Sequence, residues 1–138
     1  MSVVVIDAST AIAWLIPAQA TASSDWLLQH REDHSLHAPD IFGWEVGNIL
    51  LARARRTSGF DLELILGLLS SLDISLAPPV TAHDRGTLMN AAQAASLSLF
   101  DTAYLALVLE LGAELASRDL GLLAAAQRYS VTVRDLTL

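Results

Sequence analysis

Along the chain, short β-branched runs alternate with longer stretches whose apolar residues recur every three or four positions. Residues 3–6 are apolar throughout, as a strand covered on both faces requires. Residues 8–15 predict a helix that Pro17 stops, because proline cannot continue an α-helix. A second helix is expected over 21–29, and the polar stretch 30–35 reads as a loop. Residues 36–38, before Pro39, predict a short strand, 41–55 a helix with Gly59 beyond its end, and 62–72 another helix. A strand at 74–76 leads into Pro78-Pro79. Residues 81–95 and 100–111 read as helices, the second apolar on nearly every side and closed by Gly112. The chain ends on a strand at 113–116, a helix at 120–128 and a strand at 131–133. Strands alternating with helices over 138 residues, with no repeat or dividing linker, predict a single α/β domain.

Composition narrows the chemistry. With 53% hydrophobic and 17% charged residues, the chain can bury enough surface to offset the entropy of ordering. The longest uncharged stretch, 8–24, is broken by Pro17 and Gln19, so it does not supply the roughly 20 apolar residues of a membrane span. The first residues lack the basic region of a signal peptide and meet Asp7 inside their apolar run. No membrane and a cytoplasmic location are the expectation. The absence of cysteine removes disulfides, thiolate metal sites and a thiol nucleophile. All eight basic residues are arginines. Without lysine there is no P-loop and no Schiff base. No Gly-x-Gly occurs, so the dinucleotide fingerprint is missing too. Carboxylates, histidines and hydroxyls remain.

Most of the acids fall at element ends or on polar faces, where a solvated charge costs little. Four stand elsewhere. Asp7 follows the first strand and Asp119 follows the strand at 113–116. Ligands bind in α/β sheets outside the carboxyl ends of strands, although each residue reads equally well as a helix N-cap. Glu45 shares an apolar stripe with Phe42 and Ile49. A carboxylate there shifts its pKa, pairs with a cation or binds a metal, unless it snorkels out past Trp44. Asp101 is the one acid within 97–109, with Tyr104, Leu105 and Val108 on its face. An acid favoured by the helix dipole is its plainer explanation. Taken together, the four are joined most simply by one acidic pocket at the carboxyl edge of the sheet. Charges so gathered repel by about 3 kcal/mol per pair at ~5 Å and an effective dielectric near 20. Such a cluster must protonate in part or hold cations. Oxygen donors without thiolates point to Mg²⁺ or Mn²⁺, and such a centre suits phosphodiester hydrolysis.

Four segments carry a resemblance: Val4-Val5-Ile6-Asp7-Ala8-Ser9, Ala38-Pro39-Asp40 leading to Glu45-Val46-Gly47-Asn48-Ile49-Leu50, Leu99-Phe100-Asp101-Thr102-Ala103-Tyr104-Leu105-Ala106-Leu107, and Ala116-Ser117-Arg118-Asp119. In that order and spacing the chain resembles, essentially end to end, the PIN-domain ribonucleases, and most closely the VapC-type toxins of bacterial toxin–antitoxin pairs. The resemblance implies a three-layer α/β/α fold and a Mg²⁺-dependent endoribonuclease, with Mn²⁺ able to substitute. It makes Asp7, Glu45, Asp101 and Asp119 the acidic quartet, with Asp7 and Asp101 as direct metal ligands. Ser9 and Ser117 become hydroxyls of the same pocket, and Asn48 a support for the helix bearing Glu45. Ser117 stands where many relatives have threonine, which keeps the hydroxyl. Gly121 and Leu122 stand where some relatives have a further acid, which leaves the second metal position the weaker one. The implied partners are an RNA substrate, a cognate antitoxin laid along an apolar groove, and a second copy of the chain in a homodimer.

Other features matter less. His30, His34 and His37 have spacings a zinc site could use, but no cysteine accompanies them. Arg53, Arg55 and Arg56 complement a helix C-terminus and are the first candidates for a phosphate contact. Trp14 and Trp26 read as core or interface aromatics. The net charge of −7 opposes RNA binding, and without the four site acids it falls to −3. Bound cations then supply most of the local attraction, which favours folded loops of structured RNA over nonspecific binding. The rival readings are a phosphohydrolase acting on another substrate and an inactive protein-binding module with the same fold.

Overall fold

The computed structural model describes residues 1–138. Its elements are β1 (Ser2–Ile6), α1 (Ala8–Leu15), α2 (Ala22–Gln29), β2 (His34–Ala38), α3 (Ile41–Arg56), α4 (Leu62–Ser71), β3 (Ser75–Leu76), α5 (Ala82–Ala95), α6 (Leu99–Leu111), β4 (Glu114–Ser117), α7 (Leu120–Arg128) and β5 (Val133–Asp135). Single 3₁₀ turns occupy Pro17–Gln19 and Arg31–Asp33. The strands form one parallel sheet in the order β3-β2-β1-β4-β5, as the alternating pattern predicts. Helices cover both faces, giving the three-layer α/β/α arrangement.

Strand β1 lies at the centre, and Val4, Val5 and Ile6 have no exposed surface. From β1 the chain runs to β2 and β3 on one side, then crosses to β4 and β5 on the other. This reversal opens a crevice past the carboxyl end of β1, where an open α/β sheet binds its ligand. Phe42, Val46 and Leu50 of α3, with Leu105 and Val108 of α6, join the core around β1. Those two helices therefore begin at the carboxyl edge and run back across the sheet.

Several boundaries shift by a residue from the sequence reading, and three of the differences are instructive. The polar stretch at 30–35 is not all loop: β2 begins at His34, because Ser2 and Val3 of β1 pair with His34 and Ser35. Ladder bonds come from the backbone, and polar side chains tolerate them wherever the sheet edge faces water. Strand β5 starts at Val133 rather than at residue 131, because the Val131 N–H closes the end of α7 on the Ala126 carbonyl. Strand β4 runs one residue further than expected and ends on buried Ser117. Gly112 adopts φ 60° at the end of α6, a left-handed cap that favours glycine.

Candidate active site

Asp7 leaves β1 and becomes the N-cap of α1, so the sequence supplies a strand end and a helix start at one carboxylate. It is buried, 6% exposed. Its Oδ1 accepts from the Ser9 hydroxyl at 2.7 Å and the Thr10 amide at 3.1 Å, and its Oδ2 accepts from the Ser117 hydroxyl at 2.6 Å. The Thr10 hydroxyl lies 3.1 Å from Oδ1 and 2.9 Å from the Ala116 carbonyl, with one proton to serve both. Each donor favours the charged carboxylate, but burial outweighs them and pushes its pKa above the ordinary range.

Asp119 mirrors this arrangement across the strand pair. It follows β4 and caps α7, Oδ1 accepting from the amides of Gly121 at 2.9 Å and Leu122 at 3.2 Å. Its own amide donates to the Ser117 hydroxyl at 2.9 Å, so Ser117 links the two strand-end acids. A side chain at position 121 would bring its Cβ to 3.2 Å from Oδ1, a tight approach that glycine avoids. The cap and the pocket are compatible roles here, because capping occupies one oxygen and leaves the other.

Asp101 and Glu45 arrive from the helices. Ser98 caps α6 and accepts from the Asp101 amide at 3.0 Å, which leaves the Asp101 carboxylate with no capping duty. Burial raises its pKa first, and the charges of Asp119 and Asp7 add to that. Glu45, in the second turn of α3, does not snorkel out past Trp44. It accepts at Oε1 from the Tyr104 hydroxyl at 2.7 Å, across from α6. Burial again raises its pKa, followed by the charges of Asp7 and Asp101. Tyr104 is 2% exposed, and burial together with Glu45 drives its phenol far above its usual range, so it remains a donor.

All four acids line one cavity of about 330 Å³, with Ser9 and Tyr104 among its walls. Asn48 lies on the exposed side of α3 and lines the neighbouring cleft with Trp44 and Phe100. Ser117 is fully buried beneath Asp7. The histidines are engaged separately: His30 stacks on Trp26 at 4.0 Å, while His34 and His37 bond to Ser2 and Ser35. Trp14 is part-buried and donates to the Ser24 carbonyl at 2.8 Å. The arginine run sits at the far end of α3, eight to eleven residues beyond Glu45. At 1.5 Å per residue that is about 12–16 Å along the helix axis. The sequence reading gave no role to Thr10, Gln19 or Tyr104, and none to Arg118 beyond its place in a motif. The partners of their side chains lie 59 to 106 positions away, except in the Thr10–Asp7 pair, which an Asp-x-x-Thr start before a helix signals.

The donor set is all oxygen, and burial holds three of the four carboxylates above their ordinary pKa, with neighbouring acids adding to the shift at Glu45 and Asp101. That chemistry fits a hard divalent cation. No three of these side chains converge tightly enough to grip an ion by themselves. A small divalent cation that takes one or two carboxylates and keeps several waters suits this arrangement.

A family model described as PIN domain matches residues 4–128. No curated protein matches the chain. Among solved structures, PAE2754 from Pyrobaculum aerophilum is similar with a TM-score of 0.73 at 21% identity, over 99% of this chain and 90% of that one. FitAcB from Neisseria gonorrhoeae is similar with a TM-score of 0.62 at 18% identity, over 97% and 98%. At these identities the likeness is one of fold.

Proposed function

The chain belongs to the PIN-domain family, and from that premise we propose that it is a Mg²⁺-dependent endoribonuclease of the VapC toxin type. PIN domains are generally nucleases. The observation that carries the reading is the meeting of Asp7, Glu45, Asp101 and Asp119, from four separate elements, in one cavity with no ion pair among them.

Asp7 and Asp101 would hold the metal directly, with Glu45 and Asp119 completing the charge around it. A divalent cation so held supplies a nucleophile from water and steadies the oxygens of the phosphodiester. The chain's own residues do the rest. Ser9, Thr10 and Ser117 fix the Asp7 carboxylate in one orientation, so that little reorganisation accompanies binding. Tyr104 does the same for Glu45, whose second oxygen remains free to accept a proton from an attacking water. Burial first, and then the neighbouring charges of Asp7 and Asp101, raise the affinity of Glu45 for that proton.

The toxin half of the proposal rests on the resemblance in the four segments and on the apolar surface of the helices. Leu64 and Leu68, one turn apart on α4, are exposed, as is Ile49 of α3, and an antitoxin helix would cover apolar surface of this kind. Met89 of α5 and Leu109 of α6, also exposed, are available to a second copy of the chain. No single helix is long and apolar enough to cross a membrane.

The test is cleavage of a labelled RNA by the purified protein, beside its 2′-deoxy analogue. Cleavage of the RNA alone, abolished by EDTA and restored by Mg²⁺ or Mn²⁺, is expected. Equal cleavage of both strands would move the reading to a general phosphodiesterase. No cleavage of either, from a folded protein, would favour the inactive binding module.

A further inference from the structure

Arg118 is the one cation among the residues lining the acidic cavity. It stands between Ser117 and Asp119, and its amide donates to the Ser9 hydroxyl at 2.9 Å, which ties its backbone to the site. A guanidinium beside four carboxylates is expected to collapse onto one of them by direct charge attraction. It does not. The protein's single ion pair is Arg134–Glu114, elsewhere on the sheet. The Arg118 side chain instead donates from Nη1 to Gln19 Oε1 at 3.1 Å, on the 3₁₀ turn that follows α1. Its Nε is buried and has no acceptor. Gln19 lines the same cavity. A neutral amide thus holds the cation at the rim with its charge unspent.

Resting on the nuclease reading above, we propose that Arg118, positioned by Gln19, binds a backbone phosphate of the RNA at the rim of the carboxylate cavity. The planar fork of arginine matches two phosphate oxygens, and a charge-assisted contact of this kind is stronger than a neutral one. This assignment replaces the arginine run of α3, which lies too far along the helix to reach a phosphate held at Glu45. It also answers the charge problem. A chain of net charge −7 needs a cation placed where the phosphate goes more than it needs a basic surface.

The test is equilibrium binding of a short, labelled single-stranded RNA as a function of salt, with Ca²⁺ in place of Mg²⁺ and the RNA recovered intact. Arg118→Ala is expected to weaken binding about ten- to hundredfold, the loss of one charge-assisted contact. It should also lower the slope of log affinity against log salt by about 0.7, one single-strand phosphate. Arg118→Lys should keep most of the slope but bind more weakly than the parent, because a point charge replaces the fork. Gln19→Ala frees the guanidinium to pair with a carboxylate, and should lower both affinity and slope. Arg55→Ala and Arg56→Ala should change neither. The thermal shift produced by Mg²⁺ should survive in Arg118→Ala, which separates substrate binding from metal binding. If Arg118→Ala does not fold, the lysine and Gln19 variants decide alone. Parent-like affinity and slope in the Arg118 and Gln19 variants of an active protein would overturn this inference and leave the nuclease reading standing. A parent that neither binds nor cleaves RNA would overturn both.

Discussion

Strand β4 has an acid at its start and another just past its end, and the protein treats them in opposite ways. Glu114, at the amino end, pairs with Arg134 at 2.6 Å, and that guanidinium also lies 5.9 Å from the ring centre of Trp26. Asp119, past the carboxyl end, is in no ion pair and shares its cavity with Asp7, Glu45 and Asp101, although Arg118 lines the same cavity. One end of the sheet satisfies its charge within the chain. The other accumulates charge, buries part of it and supports it with hydroxyls that orient carboxylates without neutralising them. Folding alone gives no reason for the second arrangement, since it makes the metal-free protein less stable as the acids ionise. On the proposed reading, a cation from outside completes the carboxylates gathered at this strand-end crevice.

The contrast can be broken most forcefully at Asp7. Asp7→Asn keeps the cap on Thr10 and an acceptor for Ser9, but removes the charge. RNA cleavage should fall about 10³-fold or more, as for loss of a central member of a catalytic group, with the fold intact by circular dichroism. Tyr104→Phe is the next largest. It removes only the hydroxyl that orients Glu45, and losing such an outer partner costs about 10- to 100-fold in metal affinity or activity. Titrating Mg²⁺ against cleavage rate should show the loss chiefly as a raised Mg²⁺ requirement, with unfolding free energy within about 1.5 kcal/mol of the parent. Glu114→Gln is the smallest. It breaks a part-exposed pair worth about 1 kcal/mol or less, so chemical denaturation should show a slight loss while cleavage stays at the parent rate. A fall in cleavage comparable with that of Asp7→Asn would erase the distinction between the two ends of the sheet.

How much of this was legible in the sequence depends on the range of the interaction. Strand β1 and helices α1 and α7 could be read from their apolar runs and end signals, because Pro17, Asp7 and Asp119 act within a few residues. The start of β2 could not, because His34 enters the sheet through backbone pairing with Ser2, which no side-chain pattern reports. The same division holds at the site. Asp7 and Asp119 are visible as acids after strands, and Glu45 and Asp101 as acids among apolar neighbours. That the four share one cavity follows only once the crossover sets β4 beside β1. Tyr104 looks like a core aromatic until α3 brings Glu45 to its hydroxyl. Gln19 looks like a loop residue until Arg118 reaches it across 99 positions.

The central claim, that the four acids form one repelling cluster completed by a divalent cation, is tested most directly by thermal melts of the parent and Asp101→Asn. Each is measured in EDTA across pH, and again with saturating Mg²⁺. Asp7, Glu45 and Asp101 all have folded pKa values raised above their ordinary ones, so the folded state keeps protons that the unfolded state has released. Stability without metal therefore falls as pH rises from about 4 through the raised values, and stays lowered above them. Asp101→Asn removes one of the repelling charges. In EDTA at neutral pH it should melt above the parent, with the gap closing as pH falls towards 4, and it should gain less from Mg²⁺, because binding to the native state stabilises by mass action. A variant that melts at or below the parent in EDTA at every pH, and gains as much from Mg²⁺, would return Asp101 to a helix-end acid and contradict the cluster.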